Sequence, residues 1–330
     1  MRVILDAMGG DLAPAATVEG AVRANREFGI PVTLVGRSPE LQPLLKRYRC
    51  PEGRIPIVNA PEVVTMEEHA VAAVRQHTRA SITVAMTEVK EKRGSAIVSA
   101  GHSGAVVASA LFILGRVPGI DRPGIAALVP TVSGAPVLVI DVGAVSDPKP
   151  RNLLQFAFLA NSYLRNVEGV VGPRIGLLSN GTEAGKGNNL TREVHGLLTT
   201  SEGINFIGNV EGIDITRGEI DAVICDGFTG NVALKTAEGV AALVNQSLRQ
   251  ELTKSWRTKL LAAALSPGLR RAARRLDYRE YGGAPLLGVN GNVFIAHGRS
   301  DSIAIRNAIG TAYKAAQSDF SGRLASEIGK

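Results

Sequence analysis

Short apolar runs, each followed by a glycine-rich loop, recur along this chain and limit its fold to few architectures. The runs RVIL, AIV, PVLVI, RIGLL and DAVIC are rich in β-branched or apolar residues. Each ends at a small or acidic residue, and the glycine-rich loops begin near residues 6, 99, 141, 179 and 226. Continuous short apolar runs are typical of strands that are buried on both faces. The pattern therefore predicts the buried strands of a largely parallel sheet.

Segments with helical spacing separate these runs. They span residues 14–28, 67–92, 104–114, 152–164, 191–198, 231–252 and 302–318. Alternating strands and helices indicate an α/β protein, so we expect a three-layer α/β/α sandwich with a mainly parallel sheet, built as one catalytic unit over residues 1–330. Ligands of such sheets bind beyond the carboxyl ends of the strands. We therefore expect the five glycine-rich loops to lie along one edge.

Length and composition exclude several classes of protein. With 330 residues, of which 45% are hydrophobic, the chain can bury a large core. Cys50 and Cys225 are too few for a disulfide framework or a cysteine-based zinc site, and such usage suits a reducing cytosol. The apolar run before Asp6 is too short for a signal peptide, and no apolar stretch reaches the length of a membrane span. We expect a cytoplasmic protein.

The positive charge is concentrated in one segment. Residues 249–279 contain nine basic and two acidic side chains, a balance that equals the net charge of +7 of the whole chain. We expect an inserted amphipathic helical hairpin over residues 245–282, with two helices that meet at Ser266-Pro267-Gly268. Its apolar positions include Trp256 and Leu260, and its basic face consists of Arg270, Arg271, Arg274 and Arg275. Such a surface fits an acidic partner protein, an anionic lipid surface or a solvated cap over a subunit interface.

Several familiar catalytic motifs are incomplete. In GTEAGKGN only three residues separate Gly181 from Gly185, and a glycine follows Lys186, so the loop differs from a nucleoside-triphosphate phosphate loop. No GxGxxG occurs, and GHSG lacks the residue that a nucleophile elbow has between Ser103 and Gly104. None of the five histidines forms HExxH. His102 and His297 lie in glycine-rich loops, where we expect them to fix the loops rather than to catalyse.

The remaining loops suit a small, doubly charged anion. The segments 99–105 and 226–231 each precede a helix, and backbone N–H groups at a helix N-terminus can face an anion. Lys186 supplies a cation between glycines, and Asn231 supplies an amide donor. These residue types provide positioning and charge stabilisation without a metal cluster or a nucleophile–base pair.

Taken in order, these loops resemble a known family. The segments DAMGGD, SAGHSGA, IGLLSNGTEAGKGN, FIGNVEG, CDGFTGNVALKTAEG and EYGGAPLLGVNG are similar to those of the phosphate acyltransferase (PlsX) family, from residue 1 to about residue 317. The usual SAGNTGA and DxGAN motifs are changed at His102, Ser103 and Val145. The fold of that family is similar to those of phosphotransacetylases and isocitrate dehydrogenase-type enzymes.

The resemblance implies an enzyme of phospholipid synthesis. It implies transfer of a fatty acyl group from an acyl-carrier-protein thioester to inorganic phosphate, by direct attack, with neither a metal nor a cofactor. The candidate catalytic residues are Lys186 and Asn231. The candidate phosphate-binding residues are Gly101, His102, Ser103, Gly104, Gly227, Thr229 and Gly230, and the candidate loop-fixing residues are Asp6 and Asp226.

Partners and alternatives follow from the same residues. We expect acyl carrier protein, phosphate, an anionic membrane surface with a membrane acyltransferase downstream, and a second copy of the chain as a homodimer. No motif indicates a nucleic acid. Two alternatives stay open: an NAD-linked hydroxyacid dehydrogenase of related fold, and a non-catalytic adaptor that uses the basic hairpin to bind a membrane or a carrier protein.

Overall fold

A computed structural model describes residues 1–275 and 282–328 of the chain, in which strands and helices alternate. The strands are β1 Val3–Asp6, β2 Val32–Gly36, β3 Ile57–Asn59, β4 Ala96–Ser99, β5 Gly124–Val129, β6 Val137–Ile140, β7 Arg174–Leu178, β8 Asn205–Val210, β9 Ala222–Ile224, β10 Ala284–Leu287 and β11 Asn292–Ile295. The helices are α1 Ala15–Phe28, α2 Ser38–Arg47, α3 Ala70–Gln76, α4 Ser81–Lys90, α5 Ser103–Ser109, α6 Pro150–Tyr163, α7 Asn189–Thr199, α8 Gly227–Thr253, α9 Trp256–Arg275, α10 Ser302–Gln317 and α11 Phe320–Ile328. Short π-helical and 3₁₀ segments span Ala110–Leu114, Leu164–Glu168 and Asp214–Thr216.

All eleven described strands belong to one mixed sheet. Their order is β3-β2-β1-β4-β11-β10-β5-β6-β9-β7-β8. Seven of the described pairings are parallel, and three are antiparallel. The predicted α/β fold with a mainly parallel sheet is confirmed.

Helices cover both faces of the sheet, as a three-layer sandwich requires. On β1, Val3 and Leu5 face the apolar cluster that contains residues of α1 and α10, whereas Ile4 faces the cluster that contains Met86 of α4. This alternation buries the strand on both sides, which explains why its sequence is continuously apolar. Each such side chain contributes about 1.5–3 kcal/mol of burial free energy.

The two halves of the sheet run in opposite directions. The three antiparallel pairings are consecutive: β11 with β10, β10 with β5, and β5 with β6. Strands β1, β2, β3, β4 and β11 form a first block, and β6, β7, β8 and β9 form a second block that is antiparallel to it. The expectation of five loops along one edge is therefore wrong, because the carboxyl ends of the two blocks lie at opposite edges of the ladder.

The predicted turn of the helical hairpin at residues 266–268 is wrong, and residues 276–281 of the predicted hairpin lie outside the described residues. Helix α8 extends to Thr253, and α9 continues without interruption through Pro267 to Arg275. The turn lies at residues 254–255, where Ser255 and Thr258 exchange backbone-to-side-chain hydrogen bonds of 3.1 and 3.2 Å and so begin α9. Pro267 lacks one backbone donor, but its fixed φ is compatible with a helix, and the helix continues through it.

Candidate functional site

Three glycine-rich loops of the first block meet beyond β1, β4 and β11. A Cβ atom on Gly9 would lie 2.6 Å from the amide nitrogen of Gly101, so these two loops pack backbone against backbone. The amide of Asp11 donates to the carbonyl of Gly298 at 2.7 Å and ties in the loop that follows β11. This close approach requires glycine at position 9.

Asp6 fixes the loop that follows β1. Its side chain is buried, accepts a hydrogen bond from Ser99 Oγ at 2.7 Å and accepts one from the amide of Met8 at 3.3 Å. Burial raises the pKa of the Asp6 carboxyl, while hydrogen bonds from Ser81, Ser99 and the loop amides oppose that rise. The carboxyl therefore joins the ends of β1 and β4.

The Gly101–Gly104 loop presents backbone donors. The amide of Gly101 donates to Ser99 Oγ at 3.2 Å, and His102 Nδ1 caps α5 by accepting from the amide of Ala105 at 3.3 Å. This contact is of the kind expected if His102 fixes the loop. Among the described residues, the amides of His102, Ser103 and Gly104 have no acceptor. These three donors lie at the N-terminus of α5, beside a small pocket that Asp6 and Ser99 also line.

Asp141 organises the loop that follows β6 in the second block. Its buried carboxylate accepts hydrogen bonds from four amides, those of Ile125, Gly143, Ala144 and Val145, at 2.7–3.0 Å. Burial raises the pKa of the Asp141 carboxyl, and the amide donors oppose that rise. The position of this aspartate directly after a buried apolar run is the signal for it in the sequence, although no role was predicted for Asp141.

The structure corrects the role of three predicted phosphate-binding residues. The amide of Gly227 donates to the carbonyl of Val145 at 2.8 Å, and the amides of Thr229 and Gly230 donate to Asp226 at 2.8 and 2.9 Å. Thr229 Oγ1 also donates to Asp226, at 2.7 Å. Because protein acceptors already occupy these three amides, they do not present the free donors that the prediction requires.

Close packing explains the glycines at the start of α8. A Cβ atom on Gly227 would lie 2.7 Å from the Asp141 carboxylate, and one on Gly230 would overlap the Asp141 carbonyl oxygen. Asp226 is the N-cap, so α8 begins at Gly227, four residues earlier than predicted. Asn231 therefore lies in the second turn, exposed, with its side chain 4.0 Å from the position of a Cβ on Gly143.

Lys186 lies in the loop between β7 and α7. A Cβ atom on Gly181 would be 2.9 Å from Lys186 Cγ, so the lysine stem crosses that glycine. The amide of Lys186 donates to the carbonyl of Glu183 at 3.0 Å, and Asn209 Nδ2 donates to the same carbonyl at 2.8 Å. Within residues 1–275 and 282–328 the Lys186 ammonium has no hydrogen bond or ion pair. The lysine is therefore an exposed cation on an ordered loop.

A contact between α8 and the loop after β11 joins the two blocks, and no sequence motif indicates it. Lys235 on α8 lies 3.1 Å from His297 Nε2 in the loop after β11, and its ammonium donates to Glu238 at 2.9 Å. In the described part of the chain, no hydrogen bond connects the Gly101–Gly104 loop directly with residues 227–231 or with Lys186. The candidate site residues thus lie in two groups of loops, one in each block, and in the loop that carries Lys186. Helix α8 reaches from the second block to the first.

Two conceivable nucleophiles differ in their surroundings. The Cys225 thiol is buried, donates to the carbonyl of Asp141 at 3.3 Å and has a pKa raised by that burial and by nearby carboxylates. Ser103 is exposed, and no described histidine or carboxylate hydrogen-bonds to its hydroxyl. In the part of the chain that the structure describes, neither side chain hydrogen-bonds to the base that an activated nucleophile requires.

The helical hairpin exposes apolar side chains. Trp256 is 68% exposed and Leu260 is 62% exposed on α9. The backbone of α9 is described to Arg275. The side chains of the four predicted basic residues lie outside the described part, namely those of Arg270, Arg271, Arg274 and Arg275. Among the helices that the structure describes, none is both long and apolar enough to cross a membrane.

Comparisons with solved structures show the fold. The chain is similar to a phosphotransacetylase from Streptococcus pyogenes, with a TM-score of 0.65 and 19% identity, covering 97% of this chain and 94% of that one. It is also similar to 4-hydroxythreonine-4-phosphate dehydrogenase from Klebsiella pneumoniae, with a TM-score of 0.59 and 15% identity, covering 96% and 99% of the chains. At these identities the likeness concerns architecture alone.

Comparisons of sequence are closer. The phosphate acyltransferase of Dictyoglomus thermophilum is 44% identical over 330 residues, which cover 100% of this chain and 98% of that protein. The phosphate acyltransferase of Citrifermentans bemidjiense is 49% identical over 328 residues, which cover 99% and 93%. The model of the family described as fatty acid synthesis protein matches residues 1–323. The chain therefore belongs to this family, whose model spans all but its last seven residues.

Proposed function

We propose that this chain is a phosphate acyltransferase that moves a fatty acyl group from an acyl-carrier-protein thioester to inorganic phosphate. The observation that supports this most strongly is the identity of 44–49% to phosphate acyltransferases over nearly the whole chain. The resemblance of the ordered glycine-rich loops agrees with it. The product of this reaction is an acyl phosphate, which serves phospholipid synthesis.

The proposed reaction is a direct displacement at the thioester carbon. A phosphate oxygen forms a new C–O bond with the acyl carbon, a tetrahedral oxyanion develops, and the C–S bond then breaks. The sulfur leaves with the bonding electron pair and takes a proton from solvent. Because a thiol has a pKa of about 8.5, the thiolate leaves without a strong general acid. The protein must position the two reactants and stabilise negative charge.

Particular residues suit these two tasks. The three unoccupied amides of His102, Ser103 and Gly104 provide donors for phosphate at the N-terminus of α5. The Lys186 ammonium provides a positive charge to neutralise phosphate, and the exposed Asn231 side chain provides a donor for the developing oxyanion. Asp6 and Asp226 orient their loops through the hydrogen bonds described above.

Direct transfer is preferred over an acyl-enzyme. The buried Cys225 thiol has a raised pKa, so its reactive thiolate is disfavoured, and Ser103 has no adjacent base among the described residues. An isolated acyl-enzyme on either residue would contradict the direct route. Mass spectrometry of the protein after quenching with excess acyl donor and no phosphate detects such an adduct.

The alternatives have less support. A hydroxyacid dehydrogenase shares the architecture, as the likeness to 4-hydroxythreonine-4-phosphate dehydrogenase illustrates, but relatives at 44–49% identity are phosphate acyltransferases. A non-catalytic adaptor would need only the hairpin, whereas the similarity covers nearly the full chain.

One assay tests the proposal. Purified protein is mixed with an acyl-carrier-protein thioester, with and without phosphate, and the release of free thiol is followed. Phosphorus NMR then identifies the product. We expect thiol release that depends on phosphate, with a stoichiometric acyl phosphate signal. Thiol release that does not require phosphate, or a change in nicotinamide absorbance with a hydroxyacid and NAD, would contradict the proposal.

The hairpin is proposed as the surface that contacts the protein's partners. Within residues 245–275, exposed apolar positions such as Trp256 and Leu260 alternate with the exposed basic residues Arg257 and Lys259. This composition supports peripheral binding to an anionic membrane surface, where the acyl phosphate would pass to a membrane acyltransferase, and docking of the acidic acyl carrier protein. A homodimer and a single catalytic unit over residues 1–330 are part of the same proposal.

A further inference from the structure

The orientation of α8 needs a physical explanation. The helix has 27 residues, and within it only Gly227 and Gly230 are buried, so little of its length packs on the sheet. Asn231 lies in its second turn and belongs to the second block through the contacts of Gly227 and Gly230 with Asp141. The unoccupied amides of the Gly101–Gly104 loop belong to the first block, which runs in the opposite direction.

Three charged or titratable side chains connect α8 with the first block. Lys235 Nζ donates to Glu238 Oε2 at 2.9 Å and lies 3.1 Å from His297 Nε2. His297 Nε2 is 3.7 Å from Glu238 Oε2. Lys235 follows Asn231 by four residues and therefore projects from the same face of α8, one turn away. The contact is thus close to the proposed oxyanion donor.

The hydrogen bonds of His297 indicate how it takes part. Its Nδ1 accepts a hydrogen bond from the amide of Arg299 at 3.1 Å, which leaves Nε2 as the donor nitrogen of the ring. A lysine ammonium is also only a donor, so the 3.1 Å between Lys235 Nζ and His297 Nε2 is a close approach of two donors. Both donors face the Glu238 carboxylate, at 2.9 and 3.7 Å. Burial pushes the pKa of Glu238 upward, but hydrogen bonds and charge from His297 and Lys235 outweigh that effect and lower it. A carboxylate on α8 is therefore shared by a lysine of its own helix and by the loop after β11.

We propose that Lys235, Glu238 and His297 form a positioning cluster that orients the first turns of α8, and with them Asn231, against the loops of the opposite block. The cluster does not contact the reacting atoms. It sets the distance between the oxyanion donor on α8 and the amide donors at the start of α5, which the sheet alone does not bring together. This inference rests on the proposed phosphate acyltransferase activity, for which Asn231 is the proposed oxyanion donor.

The test compares matched substitutions in two ion pairs with i,i+3 spacing. Glu238→Gln removes the shared carboxylate, and Glu40→Gln on α2, whose exposed partner Arg37 lies 3.1 Å away, is the control. Because small displacements of a catalytic donor lower turnover strongly, we expect Glu238→Gln to reduce kcat about tenfold to a hundredfold. The KM for phosphate should change less than twofold, since Asn231 acts on the developing oxyanion and not on bound phosphate. Glu40→Gln should match the wild-type protein.

Further variants separate positioning from general stability. Lys235→Met should lose turnover as Glu238→Gln does, and Lys235→Arg should restore most of it. Because Glu238 and His297 share one contact, the kcat of the double variant Glu238→Gln, His297→Asn should be no lower than that of Glu238→Gln alone. Additive losses, or a parallel rise in the phosphate KM, would overturn the proposal.

Amide hydrogen exchange provides a readout that does not depend on activity. In Glu238→Gln, exchange over residues 227–240 should accelerate, with α10 unchanged and a melting temperature like that of Glu40→Gln. Exchange identical to that of the Glu40→Gln control would refute the positioning role even if the wild-type protein is active. If the wild-type protein makes no acyl phosphate, the proposed function fails, while the exchange comparison still decides whether the cluster orients α8.

Discussion

At the level of single residues, Lys186 provides the sharpest test of the proposed site. Its ammonium lies on an ordered loop without a protein partner among the described residues. If it neutralises bound phosphate, Lys186→Ala should lower phosphate-dependent turnover by about an order of magnitude or more. The measurement is kcat/KM for phosphate at fixed acyl donor. Lys90→Ala, at the exposed end of α4, is the control, and near-wild-type activity of Lys186→Ala would remove this lysine from the site.

Gly230 and Gly239 lie on the same helix and give opposite predictions. A Cβ on Gly230 would overlap the Asp141 carbonyl and lie 2.8 Å from Cys225 Sγ, whereas nothing lies within 4 Å of a Cβ on Gly239. Gly230→Ala should therefore destabilise the protein by about 1–3 kcal/mol through overpacking. Gly239→Ala should stabilise it by about 0.5–1 kcal/mol, because alanine favours a helix. Urea unfolding measures both, and equal effects would contradict the described packing of Gly230.

The sequence was informative about some residues and silent about others. Aspartates and glycines directly after apolar runs identified the loops, because only a sharp turn at the end of a buried strand requires both. Occupied amides could not be predicted, since the donation from Gly227 to the Val145 carbonyl joins residues 82 positions apart. The contact of Lys235 with His297 is likewise long-range, and the segment KTAEG gives no sign of it.

At the level of elements, the pairing of Arg174 with Asp221 makes the second block sensitive to acid. Arg174 at the start of β7 donates to the Asp221 carboxylate through its amide at 2.8 Å and through its guanidinium at 3.0 and 3.1 Å. Burial pushes the pKa of Asp221 upward, but these hydrogen bonds outweigh it and lower the pKa.

Because the pKa of Asp221 is lowered in the folded protein, the ion pair stabilises the fold at neutral pH and less in acid. The stabilisation is fully present above the unfolded-state pKa of about 3.9, and it is lost as the pH falls through the lower pKa of the folded state. Asp221→Asn should cost up to about 1 kcal/mol at pH 7, since both side chains are partly exposed. In denaturant unfolding the difference from the wild-type protein should vanish below the folded-state pKa. A difference that is independent of pH would contradict this assignment.

The hairpin formed by α8 and α9 gives a prediction about surfaces. Trp256→Ser with Leu260→Ser removes exposed apolar area without disturbing a buried contact, so the melting temperature should stay unchanged. Co-sedimentation with anionic phospholipid vesicles should fall several-fold, because interfacial helices bind through their apolar face. Leu12→Ser, at an exposed position in the loop between β1 and α1, is the matched control. Unaltered vesicle binding by the double variant would exclude this surface from membrane contact.

Element boundaries were predicted where local chemistry determines them. Helices α1, α6 and α10 were found within two residues of their predicted limits, because their apolar spacing is regular. The predicted helix over residues 67–92 is two helices, α3 and α4, separated by residues 77–80, where neither glycine nor proline marks a break. The error at Pro267 is the reverse. A break between two helices was predicted there from the proline, but α9 continues through it.

At the level of the whole molecule, the sheet combines a correct prediction with an incorrect one. The alternation of strands and helices predicts the α/β class, because burial on both faces leaves a compositional trace in every strand. The relative direction of the two blocks leaves no such trace: it depends on β10 and β5, which pair antiparallel with their neighbours and resemble any other short apolar run. For this reason the sequence alone suggested one edge with five loops.

The position of β11 between β4 and β10 has a consequence for synthesis on the ribosome. Strand β4 is translated early, yet its partner on one side is residues 292–295, which are translated only after the second block. The nascent protein therefore carries an unprotected strand edge while the entire second block is being made, and such edges readily pair with other chains. Synthesis of residues 292–295, rather than emergence of the first half of the sheet, is the event that closes the middle of the sheet.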